Sequence, residues 1–143
     1  MMFKKLNRDG AENVYRTVLN VEGATITTGL PVGLVNTSTD GISAVIANAA
    51  ADYPGFIGVA KGDIANNDYG LVTISGWVAS VLLSHVGSSL TINANDPLVP
   101  APSGFFSGAP TYANSGLKCL YASNVPVAVS AGSQYVSGLI KAL

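Results

Sequence analysis

Few residues of this chain have the types that nucleophilic catalysis needs. Its 143 residues include one histidine, His85, and one cysteine, Cys119. A serine or cysteine nucleophile needs an adjacent base, most often histidine, so any such pair has to use His85. That residue ends a strand-like apolar run and is followed by Val86 and Gly87, a setting typical of a turn or interface histidine. We therefore predict that the protein is not an enzyme, and a hydrolase is the weakest alternative.

Two other nucleophile patterns are also incomplete. The segment Gly104-Phe105-Phe106-Ser107-Gly108 differs from the nucleophile elbow G-x-S-x-G because its serine stands one position late. Cys119 alternates with Leu117 and Tyr121. This spacing favours a small buried side chain over a reactive thiol.

Oxygen ligands for a metal ion are concentrated in one short segment, at Asp63, Asn66, Asn67 and Asp68. Such oxygens suit calcium, but the segment lacks the calcium-loop spacing and its final glutamate. One histidine and one cysteine cannot supply the usual set of zinc ligands. The chain also has no glycine pattern for binding a nucleotide phosphate. We predict a turn here and expect no metal or other cofactor.

Short runs rich in Val, Ile, Thr and Tyr are separated by clusters of Gly, Pro, Asn, Asp and Ser. This pattern is typical of β-strands joined by turns. It predicts eight strands, at residues 14–21, 30–35, 56–60, 71–83, 89–92, 117–122, 125–130 and 135–141. The length suits one domain. We therefore expect an all-β fold: a single compact domain resembling a β-barrel or β-sandwich (β-tulip-like).

Two segments fit this pattern less well. The alanine-rich residues 42–51 permit either a helix of about three turns or a strand followed by a loop, so we expect at most one short helix, near residues 42–52. Residues 97–110 contain four of the seven prolines, and proline cannot donate to a sheet ladder. A long ordered loop is predicted there. Its Phe105 and Phe106 rings need a place either in the core or against a neighbouring subunit.

Charged residues make up 10% of the chain, whereas ordinary soluble domains have about 25%. Disorder does not explain the deficit, because the chain is 48% hydrophobic and its net charge is −1. Much of the surface is therefore expected to be covered by further copies or by a partner. Between residues 69 and 117 the only charged residue is Asp96. We expect a subunit interface there, with Trp77, Phe105 and Phe106 as candidate contacts.

Basic residues are concentrated at the start of the chain, at Lys4, Lys5, Arg8 and Arg16. Asp9 and Glu12 lie between them, which favours a protein partner over nucleic acid. We expect an N-terminal arm, residues 1–16, and a single β domain, residues 17–143.

Neither secretion nor membrane insertion is expected. Lys4 and Lys5 are followed by the polar segment 6–9 instead of the apolar core of a signal peptide. The longest apolar run, residues 71–83, is too short to span a membrane and contains several polar residues. We therefore expect synthesis in a cytoplasm.

The segment 55–76 carries a family resemblance. It reads F-I-G-V-A from Phe56, then D-I-A from Asp63, a polar turn, and G-L-V-T-I-S-G from Gly70. This order resembles the central signature of small capsid decoration (cement) proteins of tailed phages. The step Asn95-Asp96-Pro97-Leu98 and the closing residues 135–140 are similar to later strands of that family.

The resemblance implies a structural virion protein without catalytic residues. It would stand on the outer capsid surface as a homo-oligomer, most simply a trimer, and would stabilise the shell by bridging capsomers of the major capsid protein. Lys4, Lys5, Arg8 and Arg16 are then the candidate capsid contacts. The alternative is a carbohydrate- or host-surface-binding β module, such as a head fibre or a tail-associated adhesin. Trp77 and the six tyrosines would permit this, but they do not cluster in the sequence.

Overall fold

The computed structural model describes residues 13–48, 55–85, 90–94, 96–101, 104–107, 120–122, 127–129 and 132–141. Within these ranges the chain forms eleven strands and no α-helix. They are β1 (Val14–Asn20), β2 (Pro31–Leu34), β3 (Ser43–Ile46), β4 (Phe56–Ala60), β5 (Tyr69–His85), β6 (Leu90–Ile92), β7 (Pro97–Ala101), β8 (Gly104–Ser107), β9 (Leu120–Ala122), β10 (Val127–Val129) and β11 (Gly132–Lys141). The prediction of an all-β fold is confirmed.

Five strands form a closed barrel in the order β1-β3-β2-β4-β5, and β1 pairs with β5 to close it. β1 and β3 run parallel, and the other pairs in this ring are antiparallel. The interior is filled by what we call the barrel core, a cluster of buried residues: Val18, Ile26, Leu30, Val32, Ala44, Ala60, Ile64 and Val72.

The remaining strands of the main sheet form a second ring of pairings, in the order β5-β11-β9-β7-β8. It closes through one parallel pair, Leu83 of β5 with Phe105 of β8. β10 and β6 form a separate two-stranded sheet. The second core consists of the buried residues Val59, Val78, Val81, Leu83, Ile92, Leu98, Phe105, Ala122, Val136 and Ile140.

β4 lies between the two cores. Val59 belongs to the second core, and Phe56 packs against the same cluster, whereas Ala60 belongs to the barrel core and Ile57 packs against that one. Gly58 permits the close approach of β4 to β5, because a Cβ at this position would collide with the backbone oxygen of Thr73. This arrangement agrees with the apolar character of F-I-G-V-A on both of its faces.

Residues 43–46 form a strand, the second of the two structures that the sequence permits for residues 42–51, and residues 49–52 lie outside the described ranges. β3 pairs with both β2 and β1, and Ala44 is completely buried between them. The Asp40 carboxylate fixes the start of β3, because it accepts hydrogen bonds from the backbone N–H groups of Ile42 and Ser43. Pairing to neighbouring strands therefore outweighs the helix preference of alanine.

The loop predicted at residues 97–110 is wrong for residues 97–101 and 104–107, because β7 and β8 pair as an antiparallel hairpin. Proline is tolerated at the first position of a strand and where no neighbour needs its amide. Pro97 is the first residue of β7, and within the described residues β9 pairs with β7 at Pro97 and Leu98. Pro100 lies outside this described pairing with β9.

Phe105→Ala should destabilise the protein by about 3–5 kcal/mol, because truncating a buried phenylalanine leaves a cavity. Phe105 is completely buried, and its ring meets that of Phe56 edge to face at 5.9 Å between centroids. Urea denaturation measures the loss, with Tyr69→Ala as the control because Tyr69 is 61% exposed. A loss below about 1 kcal/mol for Phe105→Ala would contradict its place in the second core.

Candidate functional site

A cleft of about 260 Å³ lies where the beginning of β1, the end of β4 and the middle of β5 meet. Its lining combines aromatic, hydroxyl and cationic side chains, namely Tyr15, Thr28, Lys61, Thr73, Trp77 and Ser80. These residues come from distant parts of the sequence, and the β1–β5 and β4–β5 pairings bring them together.

Thr73 lines this cleft and is buried, with 3% of its surface exposed. Its direct cross-strand neighbours are Tyr15 in β1 and Val59 in β4, and opposed residues on paired strands point to the same face. Within the described part of the chain, the Thr73 hydroxyl has no hydrogen-bond partner. Buried polar groups are usually paired, so this hydroxyl is an unused hydrogen-bonding group beneath the cleft.

The two aromatic residues of the cleft are Tyr15 and Trp77, which are 40% and 39% exposed. The Lys61 ammonium lies 4.1 Å from the centroid of the Tyr15 ring, a cation–π contact. The backbone N–H of Trp77 donates to Oδ1 of Asn13 at 2.6 Å, which ties the residue before β1 to β5.

The charge of the cleft is positive. Among the described residues no carboxylate forms an ion pair with Lys61. The nearby Asp63 is engaged elsewhere, because it accepts hydrogen bonds from the backbone N–H and the hydroxyl of Thr28 at 2.7 and 2.8 Å. These bonds lower the pKa of Asp63 from its ordinary value. Asp63 therefore anchors Thr28 and leaves the Lys61 charge free.

A buried asparagine holds the turn that follows Lys61. Asn20 is completely buried, and its Nδ2 donates to the carbonyl oxygens of Ala24 and Ile64 at 2.8 Å each. Its Oδ1 accepts from the backbone N–H of Glu22, and its carbonyl accepts from that of Asn67. Asn67 adopts a positive φ of 62°, a conformation that asparagine tolerates in turns.

The oxygen-rich segment 63–68 therefore uses its polar groups within the fold. Asn66 accepts from the backbone N–H of Gly23, and Asp68 accepts from that of Tyr69. No group of three or more His, Cys, Asp or Glu residues suited to a metal ion occurs within the described ranges. The segment is a turn, as its composition indicated.

The predicted capsid contacts fall in two places. Lys4, Lys5 and Arg8 lie outside the described residues. Arg16 lies within β1, and its Nη2 donates to the carbonyl oxygen of Gly41 at 2.6 Å. The boundary drawn after residue 16 is too late, because β1 begins at Val14 and its pairing with β5 makes residues 14–16 part of the barrel.

The predicted interface residues differ in accessibility. Phe105 is completely buried in the second core, so its side chain cannot reach another subunit and the prediction is wrong for this residue. Phe106 pairs with Val99 of β7 through the backbone, and Trp77 is partly exposed. The interface role of Phe106 and Trp77 stays a prediction.

Of the two residues considered for nucleophilic chemistry, only His85 lies within the described residues. His85 is the last residue of β5 and pairs with Gly132 of β11, and Cys119 lies outside the described residues. The described residues contain no helix that is long and apolar enough to cross a membrane.

Sequence reasoning did not find the cleft. Tyr15 and Trp77 are scattered in the sequence, Lys61 directly follows β4, and no local motif joins the three residues. Their proximity depends on the register of β1 and β4 against β5, which pairs Tyr15 and Val59 with the same residue, Thr73.

Comparison with solved structures shows a neighbour for this fold. The N base of head fiber gp8.5 in bacteriophage phi29 matches with a TM-score of 0.53 and 18% sequence identity, over 90% of this chain and 94% of the other. No protein-family model matches the chain, and no curated protein matches it. The similarity therefore concerns the whole β domain.

Asp63→Asn should weaken the acid sensitivity of folding. The pKa of Asp63 is lowered in the folded state, so its stabilising contribution is present above the unfolded pKa of about 3.9. That contribution disappears as the pH falls through the folded pKa. We expect the variant to be less stable than the parent at pH 7 and to lose less stability between pH 5 and pH 2 in urea titrations.

The matched comparison is Asp40→Asn, which removes the other carboxyl group whose pKa is lowered among the described residues. Its hydrogen bonds to Ser43 and Ile42 hold a separate turn. Between pH 5 and pH 2, each single variant should lose less folding stability than the parent does. A parent-like pH profile in Asp63→Asn would show that the contact with Thr28 does not stabilise the folded state.

Proposed function

We propose that this chain is a structural protein of a phage head, which binds the outer surface of the capsid and stabilises it by bridging capsomers. The observation that carries the proposal is the fold shared with the base of a phage head fiber over nearly the full length of both chains. A match of this extent covers the domain as a whole instead of one recurrent strand motif. The resemblance of the segment 55–76 to decoration proteins supports the same general role, a structural protein of a phage head.

The composition supports a protein that works in an assembly. A domain with 10% charged residues has fewer charges than an isolated soluble domain needs to keep its surface hydrated. Large apolar side chains are exposed on adjacent strands, including Tyr69 at 61% and Tyr135 at 52%. We infer that copies of the chain associate with one another on the capsid, as a trimer in the simplest case.

Such an assembly stabilises a shell without chemistry. Each contact between one subunit and the capsid can be weak, because linking the subunits raises the effective concentration of every later contact. An oligomer that touches several capsomers therefore resists their separation. The early basic residues supply candidate contacts to acidic capsid groups.

A second candidate is the base of a head fibre, in which the same domain binds the capsid and carries a projecting fibre. The fold similarity also favours this second candidate, because the similar solved structure is described as the base of a head fiber. The two roles differ in their effect on the shell. A decoration protein should raise the temperature at which empty shells fall apart, whereas a fibre base should bind without changing it.

Purified protein should co-sediment with undecorated shells of its own phage and raise their dissociation temperature. Saturable binding with stabilisation supports decoration, and saturable binding without it supports a fibre base. No binding would contradict both roles. A chain of equal size from an unrelated β domain serves as the control for trapping in the pellet.

Light scattering on dilute protein should report a multiple of the chain mass. Stable interfaces bury roughly 1,200–2,000 Å² in total, and the charge-poor stretch from residue 69 to 117 is the expected source of that surface. A monomer at micromolar concentration would contradict self-association in solution. Shell binding measured in parallel would then show whether the capsid itself brings the copies together.

Deletion of residues 1–8 should weaken binding to shells and reduce its salt dependence. Exposed ion pairs contribute only about 0–1 kcal/mol each, but several act together in an oligomer, and salt screens them. The matched control replaces Lys4, Lys5 and Arg8 by Gln and keeps the length. If both variants kept the affinity and the salt response of the parent, the β domain and not the arm would be the part that binds the capsid.

A further inference from the structure

We propose that the cleft between Tyr15 and Trp77 binds an acidic saccharide, with the sugar ring against the Trp77 indole and its acid group at Lys61. This inference goes beyond the structural role on the head and does not depend on it. It rests on three properties of the cleft: its exposed aromatic rings, its unpartnered buried hydroxyl and its unpaired positive charge.

The aromatic rings favour a ligand that has one apolar face. Ligand sites are typically lined by aromatic and apolar side chains with a few polar groups that fix orientation. Tyr15 and Trp77 provide the rings, and the electron-rich face of an aromatic ring attracts partly positive groups. A sugar ring presents C–H groups on its face and hydroxyl groups at its edge. The volume of about 260 Å³ is slightly below the usual range of roughly 300–1,000 Å³ for drug-sized ligands, which suits one or two sugar units.

The Thr73 hydroxyl indicates where a ligand hydroxyl would bind. It lies at the cleft with 3% of its residue surface exposed, and no described residue pairs with it. A buried polar group without a partner costs free energy. A sugar hydroxyl that reaches Thr73 would remove this cost. Ser80 offers a further hydroxyl on the same lining.

Lys61 selects the charge of the ligand. Its cation–π contact with Tyr15 holds the ammonium beside the cleft, so a partner would not have to order a freely rotating side chain. Asp63, the nearest carboxylate in sequence, is bound to Thr28 and does not neutralise it. A carboxylate or phosphate on the sugar is the complementary group.

This proposal gives Trp77 a different role from the subunit interface expected from the sequence. Trp77 is the single tryptophan of the chain, so its fluorescence reports directly on the proposed site. The intact protein is titrated with oligogalacturonate, a hyaluronan tetrasaccharide and 3′-sialyllactose. Galactotriose and lactose are the neutral comparisons, and inorganic phosphate is the test for a bare anion. Calorimetry measures the affinities independently of fluorescence.

At least one acidic saccharide should change the Trp77 fluorescence and bind at least about tenfold more tightly than its neutral counterpart and than phosphate. The neutral sugar lacks the charged hydrogen bond to Lys61, and phosphate lacks the sugar ring. Equal binding of neutral sugars would overturn the role of Lys61. Equal binding of phosphate would overturn the saccharide assignment. Absence of binding by all three acidic probes would overturn the proposal as a whole.

Variants separate the site from general effects on folding. Thr73→Val keeps the shape of the side chain and should weaken calorimetric affinity by about 2–10-fold, the effect of losing one neutral hydrogen bond, with the folded stability retained. Lys61→Met should abolish the preference for acidic over neutral sugars. Trp77→Leu should weaken binding of all the sugars.

The matched controls are Arg16→Met, which removes one positive charge outside the cleft, and Tyr69→Leu, which removes an exposed aromatic ring outside it. Both should bind the saccharide as the parent does. Light scattering is measured for every variant. If Trp77→Leu changed the oligomer mass and left saccharide affinity unchanged, Trp77 would belong to a subunit interface and the proposal would be wrong.

Discussion

The structure depends on the backbone pairing of β5. This strand of 17 residues pairs with β1 and β4 over its first part and with β11 and β8 over its later part. One continuous strand therefore belongs to both rings of the sheet and contributes to both cores. Val72 lies in the barrel core, whereas Val78, Val81 and Leu83 lie in the second core. Loss of order in β5 would open both rings together.

The cleft is a consequence of this shared strand. Where β5 passes from the barrel to the second ring, its partners change, and the pairing with β11 shifts register between Val136 and Gly138. Side chains near this transition are less completely covered than those inside either ring. Tyr15, Lys61 and Trp77 gather there because β1 and β4 pair with β5 just before the transition. Thr73 becomes buried there without a hydrogen-bond partner among the described residues.

A structural role on a phage head and a small saccharide site are compatible on one domain. The first would use broad, charge-poor surface and many weak contacts, and the second would use one cleft with a single free charge. The fold similarity to a head fiber base bears on the first role only. The saccharide proposal depends only on the side chains that this chain places in the cleft. The neighbour is 18% identical in sequence, and the proposal takes nothing from it.

Local pattern was sufficient to predict the all-β fold, the bounds of β4 and the turn at residues 63–68, because alternation and turn-forming residues act over a few positions. It left helix or strand open for residues 42–51, and it was wrong at residues 97–101 and 104–107, where the preference of proline for loops was outweighed by strand pairing. It also left two places open for the Phe105 side chain, the core or a subunit interface. The pairing of β5 with β8 closes the second ring of strands and buries the Phe105 side chain in the second core. Local pattern could not predict the cleft, because the cleft also depends on pairing between distant strands. Tyr15 and Thr73 are 58 positions apart, and only the register of β1 on β5 makes them neighbours.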